Sequence, residues 1–171
     1  MELKFDAAKS VANADLIENG AWLHLRHATL REPGSDEKKR LYLQDAKGND
    51  LLDKPMRVKV RSARSKSFRR ADIHNTTKQV AGVQRAKQAD KDRIIEEAAT
   101  YERPKRFSAL VIALENFSKD APMQTPEPQD LVVLADMGEM QWLVDQVMEF
   151  AFEDENFGGA DPQPEGGATQ D

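Results

Sequence analysis

The sequence predicts an α+β protein in which an antiparallel strand region is followed by a helical region and an acidic tail. In the first sixty residues, short apolar runs are separated by turn residues. Further along, apolar residues recur at helical spacing, and the last fourteen residues contain no large apolar side chain. We therefore place an antiparallel β region at 1–64, a helical region at 65–157 and a disordered tail at 158–171.

Four short segments are the candidate strands of the first region. They are Leu3 with Phe5, residues 22–30, residues 40–44 and residues 56–61. The last segment alternates apolar with basic side chains, which predicts one buried face and one solvated face. Because the intervening segments are rich in Gly, Pro, Asn and Asp, the expected arrangement is an antiparallel meander or a small sandwich.

Two helices are predicted in the middle of the chain. The first begins at Ser65 or Ser67, either of which can cap a helix, and it extends toward Tyr101 with a break near Gly82. The second has Pro104 in its first turn. Its apolar residues recur at i, i+3, i+4, i+7 and i+10, namely Phe107, Leu110, Val111, Leu114 and Phe117.

Two more helices are predicted near the end of the chain. Thr125 before Pro126 suggests an N-cap and first-turn proline for a short helix that ends near Asp136. The last helix spans residues 139–155. One face of it carries Met140, Leu143, Val144, Val147, Met148 and Ala151. Trp142, Phe150 and Phe152 lie off that stripe, so the helix is either the core of a small subdomain or the wall of a partner groove.

The residue types present exclude several kinds of chemistry. The chain has no cysteine, so disulfides, thiolate metal sites and cysteine nucleophiles are absent. His24 and His27 are three residues apart in a predicted strand, which directs them to opposite faces and prevents shared metal ligation. No phosphate-binding loop, HExxH motif or GxSxG elbow occurs. We expect no enzyme activity, no metal and no cofactor.

Charge is distributed unevenly along the chain. Residues 54–106 carry 16 basic and 6 acidic groups, whereas residues 107–171 carry 1 and 14. These two segments have opposite net charge. They can pair within one molecule, pair head to tail between copies, or recruit charged partners. The basic stretch 54–70 resembles a phosphate-binding surface, but it has one aromatic residue and no helix-turn-helix or zinc-finger pattern, so we do not expect nucleic-acid binding.

Residues 56–157 carry a resemblance to a known family. A Ser- and Arg-rich passage, residues 61–70, follows a strand that ends at Val60. A short leucine-bearing helix then follows Thr125-Pro126-Glu127, and residues 142–157 run from a Trp-Leu pair through Gln146-Val147 to a closing Asn-Phe. In these features the chain resembles the phage tail assembly chaperones of long-tailed bacteriophages.

The resemblance implies a non-catalytic assembly protein of the host cell cytoplasm. Such chaperones bind the tape measure protein and shield its apolar helical surface until tail tube subunits polymerise round it. We place the partner surface on Trp142, Phe150 and Phe157, with Leu143 and Val147 beneath. The chain has no segment of about 18 apolar residues, so no membrane association is expected.

Two other classes of function remain open from the residues. A structural virion protein, such as a minor capsid, decoration or connector subunit, would appear in purified particles in fixed copy number, which a chaperone would not. A nucleic-acid-binding accessory protein is the third class. Self-association through the oppositely charged halves is compatible with each of them.

Overall fold

The computed structural model describes residues 14–85 and 87–158, which form antiparallel strands followed mainly by helices. The elements are a helical segment at 14–19 (α1), β1 (Ala21–His24), β2 (Arg26–Arg31), β3 (Lys38–Arg40), β4 (Tyr42–Gln44), β5 (Asp50–Pro55), β6 (Arg57–Val60), α2 (Lys66–Arg85), α3 (Gln88–Leu110), β7 (Val111–Glu115), β8 (Met123–Gln124), α4 (Pro128–Asp136) and α5 (Gln141–Phe152). Short 3-10 turns flank α5, at Gly138–Met140 and Asp154–Phe157. The predicted fold class is confirmed. The candidate strand at Leu3 and Phe5, and the tail from residue 159 onward, lie outside the described residues.

The first six strands meet at a junction of three residues. One residue separates β1 from β2, β3 from β4 and β5 from β6, and these residues are Leu25, Leu41 and Met56. Their N–H groups donate in a ring: Leu25 to the carbonyl of Met56 at 3.0 Å, Leu41 to that of Leu25 at 2.9 Å, and Met56 to that of Leu41 at 3.0 Å. β1 pairs with β6, β2 with β3 and β4 with β5. The chain therefore leaves one strand partner and joins another each time it passes through this strand junction.

The strand junction changes three sequence predictions. Residues 22–30 form two strands rather than one, because the chain bends at Leu25 to reach a new partner. Residues 40–44 likewise divide between β3 and β4 at Leu41. Residues 50–55 form β5, which the sequence pattern did not indicate, since Asp50, Asp53 and Pro55 are unfavourable in strands. Pairing with β4 overrides that weak propensity.

A four-stranded antiparallel sheet in the order β1-β6-β7-β8 supports the helices. In β6, Val58 and Val60 are fully buried, whereas Arg57 and Lys59 lie on the opposite face beside Trp22. The guanidinium carbon of Arg57 is 4.9 Å from the centre of the Trp22 ring. The predicted alternation of this segment is therefore confirmed. Strands from the second half of the chain complete the sheet that the first half begins.

The predicted amphipathic helix over residues 104–117 is wrong in its second half. Helix α3 ends at Leu110, and Val111–Glu115 is strand β7, paired with β6. A short apolar run satisfies helix and strand periods equally, and the long-range pairing with β6 decides between them. Pro104 lies inside α3 rather than in the first turn of a new helix. Phe107 and Leu110 are fully buried as the apolar end of α3.

The start of α2 is capped from two directions. The Oγ of Ser65 accepts the backbone N–H of Phe68 at 3.1 Å, as the sequence predicted for an N-cap serine. The carboxylate of Glu18 accepts the N–H groups of Lys66 at 2.9 Å and Ser67 at 3.2 Å. These bonds lower the pKa of Glu18, the hydrogen bond from the Ser67 hydroxyl contributing most.

Helices α2 and α3 form an antiparallel hairpin. The Nε of Arg106, near the end of α3, is 2.9 Å from the Oδ1 of Asp72, near the start of α2. The predicted break near Gly82 occurs between Arg85 and Gln88 instead. An isolated glycine within a helix costs about 1 kcal/mol, which helix packing readily exceeds.

Helix α4 begins later than predicted. Glu127 occupies the N-cap position in an extended conformation, without a side-chain cap, and Pro128 is in the first turn. A residue before proline is disfavoured in the α region, so Glu127 cannot continue a helix from Thr125 and Pro126. The helix ends at Asp136, as predicted.

The core lies between the sheet and the helices, and α3 packs against α2, α4 and α5. On α5 the predicted stripe is confirmed at four positions. Its buried residues are Leu143, Val144, Val147 and Ala151. Met140 and Met148 are half-buried against the same core.

Candidate protein-binding groove

An open groove of about 560 Å³ lies where the strand junction, the loop after β7 and the start of α5 meet. Most of its lining is apolar or aromatic. The apolar and aromatic lining residues are Ala28, Leu41, Leu43, Met56, Phe117 and Trp142, joined by Tyr42. His27, Gln44 and Asn116 are the polar ones, and among the described residues no lysine, arginine, aspartate or glutamate lines the groove. Such a surface suits an uncharged, apolar occupant.

The floor of the groove is held by backbone hydrogen bonds. Leu41 and Met56 line the groove and are also two of the three strand-junction residues. Their N–H groups are satisfied within the ring of bonds, so the backbone there needs no water to satisfy them. This part of the groove is preorganised in the absence of any ligand.

Gln146 positions the wall that α5 contributes. Its Oε1 accepts the backbone N–H of Arg26 at 2.9 Å, and its Nε2 donates to the carbonyl of Arg26 at 2.8 Å. The carboxamide therefore pairs with β2 as a neighbouring strand residue would. Trp142 lies one turn earlier on α5, and its carbonyl also accepts from Gln146 Nε2 at 3.3 Å. Sequence reasoning missed this role, because Gln146 reads as an ordinary polar residue on an amphipathic helix.

Asn116 positions the part of the lining that follows β7. It has a positive φ of 60°, which asparagine tolerates better than other non-glycine residues. Its Nδ2 donates to the carbonyl of Pro55 at 2.8 Å, and its N–H donates to the carbonyl of Pro122 at 2.7 Å. These bonds turn the chain after β7, which places Phe117 in the groove.

The two histidines near the groove have separate structural roles. His24 Nε2 is 2.9 Å from the carbonyl of Leu41, and its ring meets Tyr42 edge to face, with the ring centres 5.0 Å apart. Burial lowers the pKa of His24. His27 Nδ1 accepts the N–H groups of Thr29 and Leu30. Among the residues described, no three histidine or acidic side chains are grouped closely enough to hold a metal ion.

The structure places the five predicted partner-binding residues in three environments. Trp142 is half-buried and lines the groove. Leu143 and Val147 are fully buried in the hydrophobic core and do not line the groove. Phe150 is half-buried and its ring meets the buried Phe157 ring edge to face, with centres 5.5 Å apart, and neither lines the groove. The aromatic cluster at the end of α5 is thus separate from the groove.

The Ser- and Arg-rich passage connects β6 with α2 and contacts the ends of α3 and α5. The N–H of Arg61 donates to the carbonyl of Leu110 at 2.8 Å, and its Nη1 donates to that of Ala109 at 2.9 Å. The N–H of Ala63 donates to the carbonyl of Ala151 at 2.9 Å. Ser62 and Ser65 are buried and form local turns. The passage is therefore a structural connector in this fold.

Part of the basic middle pairs with the acidic end inside one molecule. Arg64 forms an ion pair with Asp154, and Arg103 forms one with Asp145. Both pairs are largely exposed, so each contributes little to stability. Their arginines nevertheless have carboxylate partners, which reduces the positive charge available to a nucleic acid.

Comparison with protein-family models, with curated proteins and with solved structures gives no match to this chain. Within residues 14–85 and 87–158, no helix combines the length and the apolar character needed to cross a membrane. The groove and its surroundings are the structural basis for assigning a function.

Proposed function

We propose that the protein binds an apolar helical segment of another protein in the groove, and that this partner is a phage tape measure protein. The observation that carries the proposal is the uncharged, mainly apolar lining, which includes Trp142 and Phe117. Tryptophan and other large aromatic residues are the typical anchors of protein interfaces.

The lining of the groove suits the apolar face of a helix. Extended peptides usually add to a free strand edge through backbone hydrogen bonds. At the strand junction the N–H groups of Leu25, Leu41 and Met56 are already paired, whereas β2 and β4, which also line the groove, each pair with one strand among the described residues. A helix presents apolar side chains at i, i+3, i+4 and i+7, which can enter such a groove without backbone pairing.

Shielding of the tape measure protein is the role that fits both the groove and the resemblance. Long apolar helical faces aggregate in water unless they are covered. A stoichiometric binder in the host cytoplasm would cover them until tail tube subunits take its place. Binding alone accounts for this role, without catalysis or a cofactor.

Co-purification with a phage tape measure protein tests the proposal. Trp142→Ala should lower affinity at least about thirtyfold, because truncating a buried interface aromatic costs about 2 kcal/mol or more. Ala28→Asp is a second variant. Ala28 is exposed, so the fold should tolerate a charge there. Because Ala28 also lines the groove, the same charge should weaken binding of an apolar helix. Phe152→Ala is the matched control, because Phe152 is 58% exposed and lies outside the groove.

Retained binding by a folded Ala28→Asp variant would contradict the groove assignment. Stable presence in purified virions at fixed copy number would favour the structural virion protein instead. A direct readout is also accessible, because the chain has two tryptophans. Replacing Trp22 with Phe leaves Trp142 as the reporter, and its emission should shift to shorter wavelength when a helix covers the groove.

A further inference from the structure

Helix α2 exposes a charge-free stripe that nothing in the described structure covers. Ile73 is 66% exposed and Val80 is 50% exposed. With Thr77 and Gln84, which are also exposed, they follow the i, i+4, i+7, i+11 spacing of one helix face. The opposite face carries the buried Phe68. We refer to Ile73, Thr77, Val80 and Gln84 as the α2 stripe.

Positive charge flanks the start of the α2 stripe. The helix contains five basic residues and one acidic residue, Asp72, which is engaged by Arg106. Arg69 and Arg70 are exposed and precede Ile73 by four and three residues, so they flank the start of the stripe. Among the described residues, no ion pair includes a basic side chain of α2. The stripe therefore suits a helix that is apolar in its centre and acidic at its margins.

A surface of that kind is formed by α4 and the residues that directly follow it in the same chain. Val133 is 59% exposed and Met137 is 53% exposed, one helical turn apart. Asp130, Asp136 and Glu139 are exposed around them. The sequence has no lysine or arginine after residue 119, so this acidic face has no basic neighbour in its own segment.

We propose that the α2 stripe of one copy binds the α4 face of a second copy. The α4 face consists of Asp130, Val133, Asp136, Met137 and Glu139. Both surfaces are exposed, so they do not cover each other within one molecule. Pairing two α2 stripes would bring two strongly basic helices together, and pairing two acidic faces would oppose their carboxylates. The favourable contact joins unlike surfaces, which makes it heterologous, so copies add head to tail.

The size of the contact sets its strength. Helix α4 has nine residues, so it is about 13 Å long, and a helix pair of that length buries much less than a standard interface. We therefore expect a dissociation constant on the order of 100 μM, rising as salt screens the charged margins. Self-association should be weak at low concentration and grow into longer chains when copies are crowded together.

Charge reversal on each surface provides the test. Arg69→Glu with Arg70→Glu makes α2 acidic, and Asp136→Lys with Glu139→Lys makes the α4 face basic. Each variant alone should remain monomeric in sedimentation equilibrium up to about 1 mM in low salt, because its two surfaces then repel those of its neighbours. An equimolar mixture should associate again, since every contact in alternating order then joins opposite charges.

The wild-type protein should associate in the same concentration range, and its average mass should fall as salt increases. Circular dichroism establishes that each variant is folded before the measurement. Wild-type protein that stays monomeric at about 1 mM in low salt would overturn the proposal. So would folded charge variants that associate like the wild type, or a mixture that fails to recover association. The groove variant Ala28→Asp should leave self-association unchanged, which separates this surface from the proposed function.

Discussion

The strand junction and the α2–α3 hairpin differ in how far their apolar side chains are buried and in how their backbones are linked to the rest of the fold. At the junction, Leu25 is fully buried and three backbone hydrogen bonds link strands that are distant in sequence. In the hairpin, Ile73, Val80 and Ile95 are at least half exposed. The first region can present a preformed binding groove. The hairpin leaves apolar side chains exposed to solvent, and its stability depends on the end of the hairpin that packs near the sheet.

The largest expected effect concerns Gly20, which leads into the strand region. Its φ is +82°, and a Cβ there would lie 2.7 Å from Ile112 Cδ1 and 2.8 Å from the carbonyl oxygen of Val60. Backbone strain and a clash with backbone act together, so Gly20→Ala should lower the free energy of unfolding by about 4 kcal/mol or more. Urea denaturation measures the loss.

Gly34 is the matched control for Gly20. It has a comparable φ of +74°, but no atom lies within 4 Å of where its Cβ would be. Gly34→Ala should therefore cost only about 1 kcal/mol, which is the strain of the left-handed conformation alone. Equal losses at the two glycines would show that Gly20 is not closely packed against the sheet.

The next effect compares the core with the hairpin surface directly. Leu110 is fully buried where α3 meets β7, so Leu110→Ala should cost about 3 kcal/mol through lost contacts and a residual cavity. Ile73→Ala removes an exposed side chain and should change the free energy of unfolding by about 0.5 kcal/mol or less. Thermal melts of both variants check the difference. A large loss for Ile73→Ala in dilute solution would mean that the hairpin surface is already covered there.

A smaller effect is expected at the link between α5 and the strands. Gln146→Ala leaves the backbone N–H and carbonyl of Arg26 without their partner, so we expect a loss of about 2 kcal/mol. Gln141→Ala is the control on the same helix, because the Gln141 side chain donates to the exposed Asp145 carboxylate and not to the strands. The emission of Trp142, in protein with Trp22→Phe, should shift to longer wavelength in Gln146→Ala alone. An unchanged spectrum would mean that Gln146 does not position the groove wall.

Local periodicity predicted those parts of the fold that depend on one segment. The alternation around Val58 and Val60, the stripe from Leu143 to Ala151 and the Ser65 cap are all set by neighbouring residues, and all are present. Strand β7 was assigned to a helix because Val111–Glu115 is an apolar run whose partner, β6, is about fifty residues away.

The groove could be predicted only in part. Trp142 stood out because it lies off the apolar stripe of α5. Phe117, Met56 and Leu41 reach the groove through the strand junction and the Asn116 turn, both of which are long-range contacts. Phe150 and Phe157 pack on each other because the chain folds back after Phe152, which helical spacing cannot indicate.

The smallest effect distinguishes the two regions by their response to acid. Burial lowers the pKa of His24 below its usual 6.5, with Arg40, Arg57 and Arg26 acting in the same direction and the hydrogen bond to the Leu41 carbonyl opposing them. The unfolded chain therefore takes up a proton at higher pH than the folded one, so stability is complete above about pH 6.5 and falls as the pH drops below it. His24→Gln should flatten the dependence of the urea midpoint on pH between about 7.5 and 5.5, above the range in which carboxylates protonate. If His24→Gln keeps the wild-type slope, the ring of His24 is not part of the buried junction, and the difference in support between the two regions is smaller than the structure indicates.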